Sequence, residues 1–331
     1  MPQYDVVTIG GSTRDINFYT RDGRALANPY DITRQKMIGF EYGGKIISEK
    51  AIIRSGGGGG NTAVTLARLG LKVASFVCLG QDREGEVLLA KIKKEHIDTR
   101  FVSYCGSAMT GFSFVIIDEN LDDHIAFLFR GANNYLTIKT DALLKLQTDW
   151  IYVSSLSGQH WRQISDKILA AVKQRGFKLA WNPGETQLKA GKRGLEKLLK
   201  NTEVLLLNKN ESIRLVMSAK GKIKGIDDPR VLLKTIKNWG PNIFVLTNGR
   251  KGAYAYDGKK IYFSPIYPIK IADTTGAGDA FGASFIAGLI RYKYDLKKAI
   301  KLATINTAYQ VSVLGAQEGM LFAKDLKRFK L

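Results

Sequence analysis

Cysteine and histidine are scarce in this chain of 331 residues: Cys78 and Cys105, and His96, His124 and His160, are all there are. Two cysteines make neither a disulfide framework nor a four-ligand zinc site, so a reducing compartment, by default the cytoplasm, is the simplest reading. No two histidines stand at a ligand spacing such as HExxH, which argues against a histidine zinc centre. With only seven prolines, no proline-rich linker divides the chain. Long apolar runs are missing too: core-like stretches such as ASFVCLG and FIAGLI fall far short of the roughly 18 residues of a membrane span. The opening MPQYDVVTIGG has no basic segment followed by an apolar one, so nothing in it marks the chain for secretion.

Acidic residues are the minority charge, 30 against 50 lysines and arginines, for a formal net charge of +20. That excess raises a nucleic-acid reading. The basic residues are, however, spread through Lys91–Lys94, Lys189–Lys200, Lys220–Lys224, Arg291–Lys301 and Lys324–Lys330, mostly on helical patterns whose solvated face they would occupy. No RNP-like aromatic motif, zinc knuckle or arginine-rich tail accompanies them, so no dedicated nucleic-acid partner is expected. The charge instead favours encounter with anionic small molecules such as nucleotides. The composition, 45% hydrophobic and 24% charged, is that of an ordinary globular protein, long enough to bury a core without a structural metal.

What recurs along the chain is a short apolar run followed by a helical pattern. Val6–Ile9, Lys72–Val77, Trp150–Val153, Lys178–Trp181, Glu203–Leu207 and Asn242–Thr247 read as buried strands. Asn61–Leu69, Glu84–His96, Trp161–Gln174, Lys209–Ser218 and Pro229–Trp239 read as helices, and Ala277–Tyr292, Asp295–Val313 and Ala323–Phe329 close the chain. This alternation implies an α/β fold, a mostly parallel sheet with helices on both faces. Residues 14–55 and 110–130 break the rhythm with alternating, helix-poor sequence, including GFSFVIID and HIAFLFR around the acidic turn ENLDD. They read as antiparallel hairpin insertions that could pair into a small β lid above the carboxyl ends of the main strands, where open α/β sheets bind ligands.

The sharpest motif is Asp273-Thr-Thr-Gly-Ala-Gly-Asp279, followed by the small-residue helix GASFIAGLI. Gly276, Ala277 and Gly278 would present backbone N–H groups at a helix N-terminus, a place that favours an anion such as phosphate. Asp279 would project from the first turn into the same place. The helix terminus should keep it ionised, and a carboxylate there suits proton removal from a hydroxyl that attacks phosphorus. An ordinary helix-start Asp beside a tight turn is the plainer alternative. The second motif is the five-glycine run Gly56–Gly60 with Asn61, where backbone can pass close to a ligand and Asn61 can either cap the helix or bind a hydroxyl. It is neither a Walker A loop nor a dinucleotide fingerprint.

These residues resemble the ribokinase-like (PfkB) carbohydrate kinases over nearly the whole chain. GGGGGNTAVTLARLG is similar to that family's N-terminal signature and DTTGAGDAFGASFIAGL to its C-terminal one. Gly11-Ser12 with Asp15, Gly131-Ala132-Asn133, Asn208-Lys-Asn-Glu211 (NxxE), Thr247-Asn-Gly249-Arg-Lys-Gly252 (TxGxxG) and Gly315-Ala-Gln317 match further elements in the family's order. The resemblance implies a single ribokinase-like domain over 1–331 that transfers the γ-phosphate of ATP, with magnesium, to a sugar or nucleoside hydroxyl, preferably a primary one. It implies Asp279 as base and Gly276, Ala277 and Gly278 as anion hole. Asp15, Gly57 and Asn61 would hold the acceptor, and Thr247, Gly249, Gly252 and Asn306 the nucleotide. Asn208 and Glu211 would place magnesium through water. Asp273 and the Gly315 loop would hold potassium, and the lids of two subunits would pair in a homodimer.

Taken alone, NxxE also reads as a helix cap and Thr247–Gly252 as a hairpin turn. Two departures bear on the acceptor. Gly58 stands where ribokinases carry the lysine of GGKGAN, and Thr13-Arg14 replaces an early asparagine. Arg14 and Arg130, at the edges of the lid, are the hint for a sugar-phosphate kinase of the minor phosphofructokinase or tagatose-phosphate type, unless they are solvated lid residues. Phe18, Phe112, Phe114 and Phe127 would either stack on a nucleoside base or pack the small sheet. A non-catalytic nucleotide or sugar sensor is the reading outside enzymes.

Overall fold

In the computed structural model, which describes residues 4–30, 36–121, 123–219 and 223–331, the alternating pattern becomes one eight-stranded sheet. Positions 31–35 of the first insertion, 122 of the ENLDD turn and 220–222 of the basic run lie outside the described residues. Across the sheet the strands run Val73–Phe76, Tyr4–Ile9, Thr148–Val153, Lys178–Trp181, Val204–Asn208 and Ile243–Thr247, all parallel. The hairpin Ala253–Tyr256 and Ile261–Ser264 then closes the edge antiparallel.

The strands are apolar at successive positions because both faces are covered. Leu205, Leu207, Phe244 and Leu246 enter one core, while Val204, Leu206, Ile243 and Val245 enter the other. The helices read out their local signals. In Pro229–Lys237, Asp228 caps the start by accepting from Arg230 N (2.8 Å), Pro229 occupies the first turn, and Leu232, Leu233 and Ile236 form the buried stripe. The last segment, Ala323–Arg328, winds as a 3₁₀ helix. The lysine-rich stretch before residue 200, which the strand–helix scheme left unassigned, holds the amphipathic helix Gly191–Lys200, with Leu195, Leu198 and Leu199 buried.

The two insertions meet in a separate four-stranded sheet ordered Asp123–Phe129, Phe112–Asp118, Thr13–Thr20 and Lys50–Gly56. One pairing differs from the expected hairpins: Thr13–Thr20 runs parallel to Phe112–Asp118. These two strands come from distant parts of the chain, so no hairpin turn imposes an antiparallel partner. Arg24–Ala27 and Lys36–Gly39 form a small hairpin of their own. Asp15 pairs with Ser113 and Arg54, and Ile16 with Phe114 and Ile53, so the polar set and the apolar set lie on opposite faces of the sheet.

Two long helices, Ala277–Arg291 and Leu296–Val311, carry the glycine-rich motif on one side of the main sheet. They touch at Gly288, where a Cβ would lie 2.6 Å from Ala299 Cα. Gly288→Ala should therefore destabilise the protein by about 1–3 kcal/mol, because overpacking against backbone outweighs the ~1 kcal/mol gained in helix propensity. Chemical denaturation of the two proteins checks this; an alanine variant of equal or greater stability would refute the tight crossing.

Candidate active site

The site is assembled where backbone meets backbone. Gly11, just after the first strand, points its carbonyl at Gly59 N (2.8 Å) and Gly60 N (3.1 Å), the opening turn of the helix Gly58–Arg68. A Cβ on Gly59 would lie 2.7 Å from Gly10 C, and one on Gly57, which sits at φ 85°, would lie 2.7 Å from Gly11 O. Only glycine fits there. The helix consequently begins three residues before Asn61, with Gly57 as its cap, and Asn61 does not cap it.

Freed from capping, the buried Asn61 donates through Nδ2 to Asp279 Oδ2 (2.8 Å) and accepts from Gln317 Nε2 at Oδ1 (2.9 Å). The acceptor at one end and the donor at the other fix which way the amide points. Asp279 occupies the first turn of Ala277–Arg291, behind Gly276 in the left-handed conformation (φ 77°). The turn is closed by Ala277 N on Thr274 O (3.2 Å), and a Cβ on Gly278 would meet nothing within 4 Å, so open space lies above the helix terminus. Below, the fully buried Tyr152 approaches Gly282 of the same helix.

This dry floor governs the carboxylate. Burial pushes Asp279 up to about 6, the Asn61 bond opposes the rise, and the charge of Asp15 adds to it. Desolvation and a like charge thus act against the helix terminus, which is expected to keep Asp279 ionised; at about 6 the group is still mostly ionised at neutral pH. Asp15 is itself buried and raised by desolvation, with Oδ1 accepting from Thr13 Oγ1 (2.9 Å) and Ser113 Oγ (2.7 Å). Gly56 lies so close that a Cβ would reach Asp15 Oδ2. Asn133 of the GAN element grips both backbone groups of Ser12, donating to its carbonyl (3.0 Å) and accepting from its N–H (2.9 Å). Gly58, where the resemblance leads one to expect a lysine, is crowded: a Cβ would lie 2.9 Å from the Ser154 side chain and 3.3 Å from Asp279 Oδ1.

Beyond Gly278 a cavity of about 380 Å³ runs between the two long helices and the hairpin loop, lined by Thr247, Gly249, Gly252, Phe281, Thr307 and Ala308 among others. Asn306 does not reach it. It is fully buried, donates to Ser284 Oγ (2.7 Å) and accepts from Leu321 N (2.7 Å), because its face of the helix points into the neighbouring helix. Thr307, one position on, lines the cavity instead. A second cavity, sharing Thr247 and Gly249, is lined by Asn208 and Glu211. These two form a reciprocal capping box, Glu211 N on Asn208 Oδ1 and Asn208 N on Glu211 Oε2, both 2.8 Å. Burial and, less strongly, the charge of Asp279 raise Glu211. Among the described residues no three His, Cys, Asp or Glu converge on a metal. The donor set, Asn208 and Glu211 at the rim of this cavity, fits a magnesium ion that keeps most of its water and leans on phosphate.

Asp273 is buried and accepts from Thr275 N (2.8 Å) and Gly315 N (3.0 Å). Arg14 is spent on Glu84 (2.5 Å), and Arg130 is partly buried, its pKa lowered by desolvation and raised by Glu185. Phe18, Phe112 and Phe114 pack within the small sheet, Phe18 stacking on Phe114 at 6.0 Å and Phe112 lying 4.9 Å from Phe129, while Phe127 is exposed. Gln317, which sequence reasoning placed in a motif without a role, is the residue that orients Asn61; its spacing from Asn61 in the chain gave no sign of the contact.

The pattern described as pfkB family carbohydrate kinase matches residues 7–322. An uncharacterized sugar kinase of Archaeoglobus fulgidus is 28% identical over 265 residues, 77% of this chain and 97% of that protein. A Burkholderia thailandensis nucleoside kinase solved in complex with inosine superposes at a TM-score of 0.79 with 16% identity, over 98% of this chain and 97% of the other. A putative ribokinase II from E. coli in complex with ATP and Mg²⁺ superposes at 0.76 with 19% identity, over 98% of both chains.

Replacing Gln317 by Met, which keeps volume and removes the donor, frees Asn61 to turn. Turnover in any reaction that uses Asp279 as base should then drop about tenfold, the scale of one positioning hydrogen bond. The acid limb of its pH profile should move upward, since the bond that holds the pKa of Asp279 down is weakened. An unmoved limb would show that Gln317 does no more than pack.

Proposed function

The chain belongs to the pfkB family of carbohydrate kinases, phosphotransferases that use an alcohol acceptor, and from that premise we propose that it moves the γ-phosphate of ATP to a hydroxyl, preferably primary, of a neutral sugar or nucleoside. The observation that carries this reading is the position of Asp279. It stands between the Asp15 pocket and a helix N-terminus with open space above it, oriented by Asn61.

In this reading Asp15 and the Gly57 backbone hold the acceptor's hydroxyls. Asp279 Oδ1, the oxygen not held by Asn61, accepts the proton of the attacking hydroxyl. The amides around Gly276, Ala277 and Gly278 face the charge that builds on the transferring phosphoryl group. Thr247, Gly249 and Gly252 flank the nucleotide, whose base enters the apolar cavity. Bound magnesium supplies charge neutralisation at the phosphates, with Asn208 and Glu211 as its protein-side holders. A pKa near 6 makes Asp279 a better base than an ordinary aspartate while leaving it mostly ionised at neutral pH.

The four-stranded sheet serves as a lid whose polar face, with Asp15 and Ser113, covers the acceptor and excludes water. Its other face shows Phe127 and Ile53 more than half exposed beside Phe114, an apolar patch suited to the lid of a second copy. A sugar-phosphate acceptor is less well supported, because Arg14 is already paired with Glu84.

Four outcomes are expected. In a coupled ADP-release assay over ribose, fructose, 2-keto-3-deoxygluconate, nucleosides and sugar phosphates, one neutral acceptor should saturate well above the rest. Asp279→Asn should lower kcat by about two to four orders of magnitude while nucleotide still binds, and near-normal turnover would remove Asp279 from the role. Because the base must be deprotonated, kcat/KM should rise with pH through about 6 and level off above it. Phe127→Asp should shift sedimentation from dimer to monomer; a wild-type monomer at assay concentration would end the lid-dimer reading.

A further inference from the structure

Potassium is the ion that the family resemblance leads one to expect between the loop of Asp273 and the loop of Gly315. An alkali cation there needs a shell of oxygens, carbonyls above all, to replace its hydration, with no N–H aimed at the same atoms. The structure puts an N–H there. Gln310, fully buried in the last turn of Leu296–Val311, donates through Nε2 to Thr275 O (2.8 Å) and Gly315 O (3.1 Å), one carbonyl from each loop. Its orientation is fixed by chemistry: both partners are carbonyls, and turning the amide over would set oxygen against two oxygens.

The rest of the junction is also protein on protein. Ala272 N and Asp273 N both donate to Val311 O (2.7 and 3.1 Å), Gly315 N donates to Asp273 Oδ2 (3.0 Å), and Thr275 N to Asp273 Oδ1 (2.8 Å). Asn17 Nδ2 adds a longer contact to Asp273 Oδ2 at 3.4 Å. The carboxylate therefore has backbone and amide donors where a cation would otherwise neutralise it. Gln310 Oε1, Thr275 Oγ1 and, on the Asn17 side of the carboxylate, Asn17 Oδ1 are buried without a hydrogen-bond partner. Three side-chain oxygens are still short of a potassium shell, and ordered water would satisfy them.

We infer that the amide of Gln310 stands in for the monovalent cation, tying the two loops that support the Gly276–Gly278 turn, so that this protein binds no potassium there and needs none for turnover. The turnover half of this rests on the kinase reading above; the binding half does not. The test is therefore run in two readouts at constant ionic strength, with potassium chloride exchanged for tetramethylammonium chloride. The first is thermal unfolding of the apo protein and its ATP–magnesium complex. The second is ADP release with the best acceptor.

For the wild type, Tm should be the same in both salts and turnover should agree within about twofold, since a ligand that does not bind shifts nothing. Gln310→Ala removes the donor and opens the carbonyls. It should lose turnover in tetramethylammonium and regain about fivefold or more in potassium, with a matching potassium-dependent rise in Tm. A wild-type Tm raised by potassium alone, or wild-type turnover stimulated severalfold by it, overturns the inference whether or not the variant folds. An alanine variant as indifferent to potassium as the wild type overturns the stand-in role of the amide. Failure of every acceptor would sink the kinase reading and leave the Tm comparison to decide the cation.

Discussion

The carbonyl of Gly11 capping the helix that starts at Gly58 is the contact on which the site depends. A helix N-terminus has four amides to satisfy, and a side chain normally takes one or two of them. Here a backbone carbonyl does so, which requires two chain segments to touch at glycine. The consequence is chemical rather than architectural. Asn61, the residue with the best capping chemistry in the segment, is pulled inside the helix, and its amide becomes available to Asp279. A single bulky residue among Gly10, Gly57 or Gly59 would separate the segments and return Asn61 to solvent.

Around that contact the fold gathers carboxylates that raise one another. Asp15 raises Asp279, Asp273 raises Asp15, and Asp279 raises Glu211. In a protein with twenty more basic than acidic side chains, this local acidity is a cost of the site and not a property of the surface. Burial is the largest cause in each case, so the carboxylates are held in place by packing and hydrogen bonds despite their electrostatics. Such an arrangement favours ligands that bring positive charge or donor hydrogens with them, which in the proposed reading are hydroxyls at Asp15 and a hydrated cation beside Glu211.

Much of this was legible in the sequence, and the reasons are local. Strands such as Lys178–Trp181 and Ile243–Thr247 are short apolar runs bounded by polar residues, and helices such as Pro229–Lys237 carry both cap and stripe. The parallel pairing of the two insertions, the start of the helix at Gly58 and the burial of Asn306 were not legible, because each is decided by a partner far away in the chain. Thr13–Thr20 has its parallel partner about a hundred residues on, Gly58 starts a helix because Gly11 is there, and Asn306 answers to Ser284 and Leu321. For NxxE the plain reading is what the structure shows, and it leaves the proposed magnesium role open to the same two residues. The capping box uses one oxygen of Asn208 and one of Glu211, and both residues line the second cavity.

The connectors share a chemistry that explains how a cleft of titrating groups keeps its shape. Asn61 joins Asp279 to Gln317, Asn133 holds the backbone of Ser12, Asn306 binds Ser284 to Leu321, and Gln310 bridges Thr275 and Gly315. Each is a neutral amide, and the first three use a donor and an acceptor at once, so none gains or loses charge between acid and neutral pH. A salt bridge in any of these places would loosen as its carboxylate protonated and would add another charge to an already crowded cleft. With amides as ties, the loops around Asp279 stay in register while the carboxylates titrate, and the pH response of the site is left to those carboxylates.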